Sequence, residues 1–405
     1  MEPGDGPDEA AFRAEARTWL AAHAGPYRLD ADPDSPSLVF GDAADAAHVE
    51  RGRAWQRELY AAGWAGLGWP HAYGGRDLPL PLRAIWLEEL SAAGVPPAVN
   101  LLGEVVVGPT VLVHGTEEQR RRFLPPILTA QEIWSQLFSE QGAGSDLAAV
   151  AATARRDAAG GWVVDGDKTW TSGAHYADFG LLLARTDWDV PKHDGCTCFL
   201  VDLRQPGVTC RPVRQMTGGA AFDEVTLDGA VVADTDRLGP EGGGWAVAMT
   251  ALEHERLYLG LGLARAGRGV DRLLSQLRPR GVADDPLVRQ LAARLAVEAR
   301  CAQYLGRRLL SGLADGHGAG PEGALAKLAS ARVSRRYDEL AEAMRGAGAM
   351  VVDGYTPFSL WTPATRIAGG TDEILKNVIA ERLLGLPAEP RVDKDVAFGD
   401  VRRSS

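Results

Sequence analysis

The spacing of apolar residues changes period twice along the chain, and this restricts its fold more than any other feature. From about Asp8 to Pro126, the segments DEAAFRAEARTWLAAHA, HVERGRAWQRELYAAGW and LPLRAIWLEELSAAG place apolar side chains three or four positions apart, the spacing of one helix face. Pro70 and Gly74-Gly75 break the run, and Thr116 with Gln119 forms a capping-box signature for the helix leading to Arg122-Phe123-Leu124-Pro125. From about Ile133 to Leu238 the signal shortens to strands such as FGLLLART, CTCFLVDL and AFDEVTLDGAVVA, punctuated by Gly, Pro and Asp. After Gly242-Gly243-Gly244 long helical patterns return, up to about Leu386. The pattern predicts an α+β multidomain chain: an N-terminal helical domain over 1–130, a β-barrel or sandwich over 131–240 and a C-terminal helical bundle over 241–390. Residues 391–405 read as a polar tail with no core role.

Composition narrows the class of protein. At 405 residues and 45% apolar content the chain can bury a substantial core. The acidic start MEPGDGPDEA has neither the basic nor the apolar region of a secretory signal, and no apolar run spans a bilayer, so a soluble cytoplasmic protein is expected. A formal charge of -11 argues against general nucleic-acid binding. Cys196, Cys198, Cys210 and Cys301 show no metal-ligand or disulfide spacing, so free thiols and no metal are expected. Arginine greatly outnumbers lysine, which occurs only at 168, 192, 327, 376 and 394, and this reads as codon bias.

The richest local signal is residues 138–174. In GWVVDGDKTWTSG, Val163 and Val164 run into Asp165-Gly166, a dipeptide suited to a two-residue hairpin turn, and a second strand then carries Trp170 outward, where it can wall a flat ring. Gly142-Ala143-Gly144 neither follows a long apolar strand nor opens an evident helix, so it is a turn and not a dinucleotide fingerprint.

These pieces, with GGTDEI at 369–374 and AERLLGLP at 380–387, follow one another as they do in the acyl-CoA dehydrogenase family, which the chain resembles over nearly its whole length. The resemblance implies the same helical, β, helical architecture, with FAD lying between the β-domain and the C-terminal bundle. It places Gln136, Phe138 and Ser139 against the isoalloxazine, Trp170 beside it, and Thr171 and Ser172 toward its reactive nitrogen. Ser145 matches a position near the acyl-CoA ligand, while Thr371 and Glu373 open the final long helix, whose N-terminal amides can hold cofactor polar groups. Gln141 stands where the family usually has proline, which implies a less rigid loop. The resemblance further implies assembly as a homodimer or homotetramer, and electron-transferring flavoprotein as the acceptor.

One residue is out of its common place. Many relatives carry a catalytic glutamate in a Glu-Gly-Thr element, but here the matching residues are Gly369-Gly370-Thr371. The isovaleryl-CoA and long-chain branch places its base on an earlier helix beside an arginine, and Glu255 with Arg256 in ALEHERLYLGLGLA matches that arrangement. Spacing supports the assignment independently. Leu252, Glu255, Leu259 and Leu263 fall on one helix stripe, so the carboxylate should be desolvated and its pKa raised, as suits a general base. Glu253 points to another side.

The expected chemistry is α,β-dehydrogenation of an acyl-CoA thioester to the trans-2-enoyl thioester. By resemblance, the thioester oxygen accepts hydrogen bonds from a ribityl hydroxyl and from the backbone N–H of Gly369, an oxyanion hole that survives loss of the side chain there. Ala368 replaces a tyrosine of some relatives, which leaves room for branched or bulky acyl groups. Three rivals stand beside this reading: a carrier-protein-bound thioester, flavin monooxygenation on the same fold, and a non-catalytic partner subunit. Glu255 with intact FSEQGAGSD and WTS segments weighs against the last two.

Overall fold

The computed structural model describes residues 5–28, 46–263, 267–314, 320–391 and 393–401, with the side chains of 259–268 and 314 outside the description. Helices α1 (Pro7–His23), α2 (Ala46–Ala61), α3 (Leu80–Ala92), α4 (Gly108–His114) and α5 (Glu117–Leu128) come first. Strands β1 (Trp134–Leu137), β2 (Thr153–Arg156), β3 (Trp162–Ser172), β4 (Phe179–Arg185), β5 (Cys196–Asp202), β6 (Val208–Val213), β7 (Phe222–Val232) and β8 (Arg237–Leu238) follow. Helices α6 (Gly244–Leu263), α7 (Gly267–Ser275), α8 (Pro286–Ala314), α9 (Glu322–Arg345), α10 (Thr356–Trp361) and α11 (Asp372–Arg382) close the chain. This is the helical, β, helical order expected from the two period changes.

The contacts divide the chain into two compact units, neither of them continuous in sequence. One comprises Met1–Val39, Leu78–Pro97 and Arg256–Ala388; the other comprises Phe40–Asp77, Ala98–Glu255 and Glu389–Ser405. In the first, α1 buries Phe12, Ala16 and Leu20, and its Arg13 and Arg17 both pair with the buried Glu89 of α3 at 2.9 Å. Helices α8 and α9 carry the larger core of this unit, with Leu295, Ala302, Leu309 and Leu340 among its buried members.

The second unit holds the sheet, in the order β6-β7-β3-β2-β4-β5-β8, with β1 pairing parallel to β4. Alternate residues of the strands fill its core, where Trp162 and Phe199 meet edge to face at 5.2 Å. The capping box at α5 forms as the sequence predicts: Thr116 Oγ1 accepts from Gln119 N at 3.2 Å, and Thr116 N donates to Gln119 Oε1 at 2.9 Å. One buried side chain ties the helices to the sheet. Asn100 Nδ2 donates to the carbonyls of Ile127 and Glu132 at 3.0 and 2.7 Å, while its Oδ1 accepts from Trp134 N at the start of β1, 2.8 Å away. Both N–H groups and the oxygen of that amide side chain are thereby engaged, and together they fix where β1 begins.

The hairpin expected at Asp165-Gly166 is not formed there. Strand β3 runs unbroken through both residues, and the reversal lies earlier, between β2 and β3, where Gly160 has φ +88° and Asp157 Oδ1 accepts from Gly161 N at 2.8 Å. Asp165-Gly166 instead marks a bulge against β7, between the register pairs of Val164 and Gly166. Gly166 has φ +144°, and a Cβ there would lie 2.7 Å from the Ala152 backbone. The dipeptide signal was therefore one of a glycine-only backbone with a close neighbour, and not of a chain reversal.

The segment expected as a polar tail carries a buried aromatic ring. Phe398 is buried under the Arg185 guanidinium, 3.7 Å from its ring centroid, and Pro191 bridges to Ala397. Among the described residues no helix is long and apolar enough to cross a membrane, and no group of His, Cys, Asp and Glu is suited to a metal ion. The four cysteines are free thiols, with Cys196 and Cys198 buried.

Candidate functional site

Two strand ends build the centre of the site. Thr169 N donates to Ser139 O at 2.9 Å, and Ser135 Oγ donates to Ser172 O at 2.8 Å, so the end of β1 and the end of β3 are joined at both levels. Gln136 and Phe138 are half-buried and buried on or next to β1, while Ser139 is exposed beyond its end. On β3 a second register shift falls between Lys168 and Thr171. Trp170 sits within it at φ +54°, a left-handed conformation that a bulky residue seldom adopts. The kink turns the indole outward: Trp170 is 58% exposed and touches Phe222 edge to face at 5.8 Å. Its neighbour faces the other way. Thr171 is fully buried, and its Oγ1 has no hydrogen-bond partner among the described residues.

An outward aromatic plane held by a strained backbone fits a flat heteroaromatic group laid against the strand end. Trp170 thereby suits the flavin that the resemblance implies. Replacing Trp170 separates the fold from the site. Trp170→Gly is expected to relieve the left-handed strain and stabilise the apoprotein by about 1 kcal/mol, while flavin retention falls or its absorption changes. Thermal melts and the flavin-to-protein ratio check this, and unaltered flavin content and spectrum in both Trp170→Gly and Trp170→Ala would remove this strand from the site.

Beneath the strand ends lies a buried ion pair. Lys168 Nζ donates to Glu140 Oε1 at 2.7 Å, to Leu183 O at 2.7 Å and to Phe138 O at 3.2 Å. Glu140 in turn accepts from the amides of Ala151 and Ala152 at 2.7 and 2.9 Å. The glycine-rich turn between them, carrying the exposed Ser145, is thus clamped at both ends. Burial pushes the Lys168 ammonium below the ordinary lysine range, with the Glu140 carboxylate pulling the other way. Across the ladder from Thr171 stands Asp223, fully buried, whose two carboxylate oxygens each lie 2.9 Å from His175 Nδ1.

Glu255 lies in the second half of α6 and is half-buried, like His254 and Leu257 beside it, whereas Glu253 is exposed. Leu252 and Arg256 are also half-buried; the side chains of Leu259 and Leu263 lie outside the described residues. In the other unit, Gly369 and Gly370 have φ +66° and +94°, and Thr371 caps α11 by accepting from Ile374 N at 3.2 Å. A glutamate at Gly369 would be strained by that backbone, which gives the glycine a conformational reason beyond the missing base. Thr371 and the exposed Glu373 stand at the helix start as predicted. Two residues next to them were not foreseen: Lys327 donates to Gly370 O at 2.7 Å, and Arg366 donates to Asp372 at 2.7 Å.

A sheet that ends in an outward aromatic wall on an α+β chain suits a protein that binds a flat cofactor. Models of the acyl-CoA dehydrogenase N-terminal, middle and C-terminal domains match residues 6–131, 135–230 and 242–384. The acyl-CoA dehydrogenase IpdE1 of Mycobacterium tuberculosis is 39% identical over 390 residues, covering 95% of this chain and 99% of that one. The chain belongs to the acyl-CoA dehydrogenase family, whose members are flavin-dependent oxidoreductases acting on acyl-CoA. Among solved structures, the Tcur3481-Tcur3483 steroid ACAD superposes with a TM-score of 0.83 at 27% identity, covering 96% of this chain and all 100% of that one. The ChsE4-ChsE5 complex from Mycobacterium tuberculosis gives 0.80 at 26% identity, with 96% and 100% covered.

The lysines were hidden in the sequence, and their scarcity was the available signal. Of the five, Lys168, Lys192 and Lys327 are buried and near carboxylates, while Lys376 and Lys394 are exposed. A chain that uses arginine almost everywhere keeps lysine mainly where a compact ammonium fits and a planar guanidinium does not.

Proposed function

We propose that this chain is an FAD-dependent acyl-CoA dehydrogenase that takes the α-proton with Glu255 and forms a trans-2-enoyl thioester. The observation that carries the reading is the difference between half-buried Glu255 and exposed Glu253, together with a glycine at 369 that leaves the common base position empty. In the reaction the Glu255 carboxylate accepts the proton from the α-carbon, and the electron pair of that C–H bond becomes part of the new double bond. A bound flavin supplies the acceptance of hydride from the β-carbon. The Gly369 N–H donates to the thioester oxygen, where charge develops as the α-proton leaves. Ser139, Thr171 and Ser172 orient the ring edge, Gln136, Phe138 and Trp170 bound it, and Thr371 and Glu373 offer polar groups to the cofactor. Ser145 and Arg256 are assigned to the substrate.

The substrate is proposed to be bulky. Ala368 beside the turn leaves space, and the family member described as a steroid ACAD supports a polycyclic or branched acyl group over a straight chain. Electron-transferring flavoprotein is the proposed oxidant of the reduced enzyme, in the cytoplasm. Two of the similar structures, the Tcur3481-Tcur3483 steroid ACAD and the ChsE4-ChsE5 complex, pair differently named chains, which favours a second related chain as partner over the homo-oligomer expected from sequence. Incubating the yellow holoprotein with an artificial electron acceptor and a panel of CoA and carrier-protein thioesters tests the function. The expected product is lighter than the substrate by two hydrogens and is trans across the α and β carbons. A product gaining oxygen, or turnover confined to carrier-bound thioesters, would replace the reading with one of its rivals.

A further inference from the structure

Lys327 is the charged residue most deeply placed against the Gly369-Gly370-Thr371 turn. It stands on α9, only 6% exposed among Gly323, Ala324, Ala326 and Ala331, all of them buried. Small residues on that helix face leave room for a long side chain to lie along it, with its polar end directed at one atom. That atom is the carbonyl oxygen of Gly370, 2.7 Å from Nζ. The nearest carboxylate oxygen to Nζ, Asp372 Oδ1, is 4.0 Å away, and the Asp372 carboxylate is already engaged by Arg366 through Oδ2 at 2.7 Å. The ammonium therefore spends its short contact on a backbone carbonyl and not on the available charge. Burial pushes its pKa down, with Asp372 and Glu373 pulling it up and Arg366 adding to the fall.

That contact has a geometric consequence. Gly369 and Gly370 both have positive φ, a backbone that two glycines leave otherwise free to rotate. The peptide linking them carries the Gly369 carbonyl and the Gly370 N–H. The next carries the Gly370 carbonyl, and it leads directly into the Thr371 cap. Pinning the Gly370 carbonyl from α9, with Thr371 held by its own cap bond to Ile374, fixes the turn from its C-terminal side. The Gly369 N–H lies across both glycines from that carbonyl, and on its other side Ala368 N donates to Ala364 O at 2.9 Å, so the two-glycine turn is held at both ends.

We propose that Lys327 is a positioning residue for the oxyanion hole: its ammonium holds the Gly370 carbonyl, and so aims the Gly369 N–H at the thioester oxygen. The proposal rests on the reading of Gly369 as an oxyanion donor. Lys327 touches no reacting atom, and the buried charge contributes through the turn it orders. Hydrogen bonding in an oxyanion hole depends steeply on aim, so loosening the turn weakens polarisation of the carbonyl more than it weakens ground-state binding.

Lys327→Met keeps the length and apolar stem and removes the donor. In the flavin-loaded enzyme it is expected to slow anaerobic flavin reduction by an acyl-CoA by about 10- to 100-fold, with substrate affinity within about threefold of wild type. A second readout is independent of turnover: isotope-edited infrared spectra of a thioester labelled with carbon-13 at its carbonyl. The carbonyl band, lowered on binding to wild type, should move back toward its free-solution position in Lys327→Met. Should Lys327→Met fail to fold, Lys327→Gln carries the test, since its shorter neutral amide makes a weaker contact. It should move the band part of the way back and slow reduction by a smaller factor. Wild type that is bleached by the thioester with a lowered carbonyl band sustains the underlying reading; if the folded variant then matches it in rate and band, the positioning role alone is overturned. Wild type with no lowered band overturns both.

Discussion

Glu255→Gln is expected to slow flavin reduction by a proven acyl-CoA substrate by about 10² to 10⁴, the usual contribution of a general base. The substitution keeps size and most packing and removes the proton acceptor, so folding, flavin content and substrate binding should stay close to wild type. Glu253→Gln supplies the control. Glu253 is exposed on the same helix, and its loss should leave the reduction rate within about twofold, since an exposed ion pair is worth only about 0 to 1 kcal/mol. Rapid-mixing absorbance at the flavin band checks both. Near-normal bleaching by Glu255→Gln would return that residue to a structural role on α6.

The second large effect concerns stability. Lys168→Met is expected to destabilise the protein by about 3 kcal/mol, the lower end of the range for breaking a buried ion pair by removing one partner. The lower end applies because Glu140 keeps its bonds from the Ala151 and Ala152 amides, so its charge is not left wholly uncompensated. The loss should also reach the site, since Lys168 binds the Phe138 carbonyl one residue before Ser139. A lowered denaturation midpoint with reduced flavin content is the predicted result. An unchanged midpoint would show that the pair contributes nothing net, as replacement of some buried pairs by apolar residues does.

The sequence carried the architecture because the architecture is a matter of period. Helices α1 to α3 and strands β4, β5 and β7 lie within a few residues of the segments predicted, and the Thr116–Gln119 cap was legible as two residue types at a fixed spacing. Trp170 was legible as an outward residue. Its strained φ was not, because nothing in the residue itself prefers the left-handed region. The misplaced hairpin shows where local chemistry misleads. Asp165-Gly166 satisfies the rule for a turn, but the same glycine also permits a bulge where Ala152 passes close, and pairing with β7 decided between them. Asn100, Lys168 and Lys327 were invisible for a different reason: each acts on backbone atoms distant in sequence, and a backbone atom leaves no mark in the residue string.

The claim at the centre of this account is that two C–H bonds of one thioester break, the α-proton going to the protein and the β-hydrogen to the flavin. Anaerobic bleaching of the wild-type holoenzyme by acyl-CoA deuterated at the α-carbon, and separately at the β-carbon, measures this most directly. The account predicts bleaching, a primary isotope effect from each position, and an enoyl thioester recovered in proportion to flavin reduced. Bleaching that is indifferent to deuterium at the α-carbon, or no bleaching by any thioester, would contradict it.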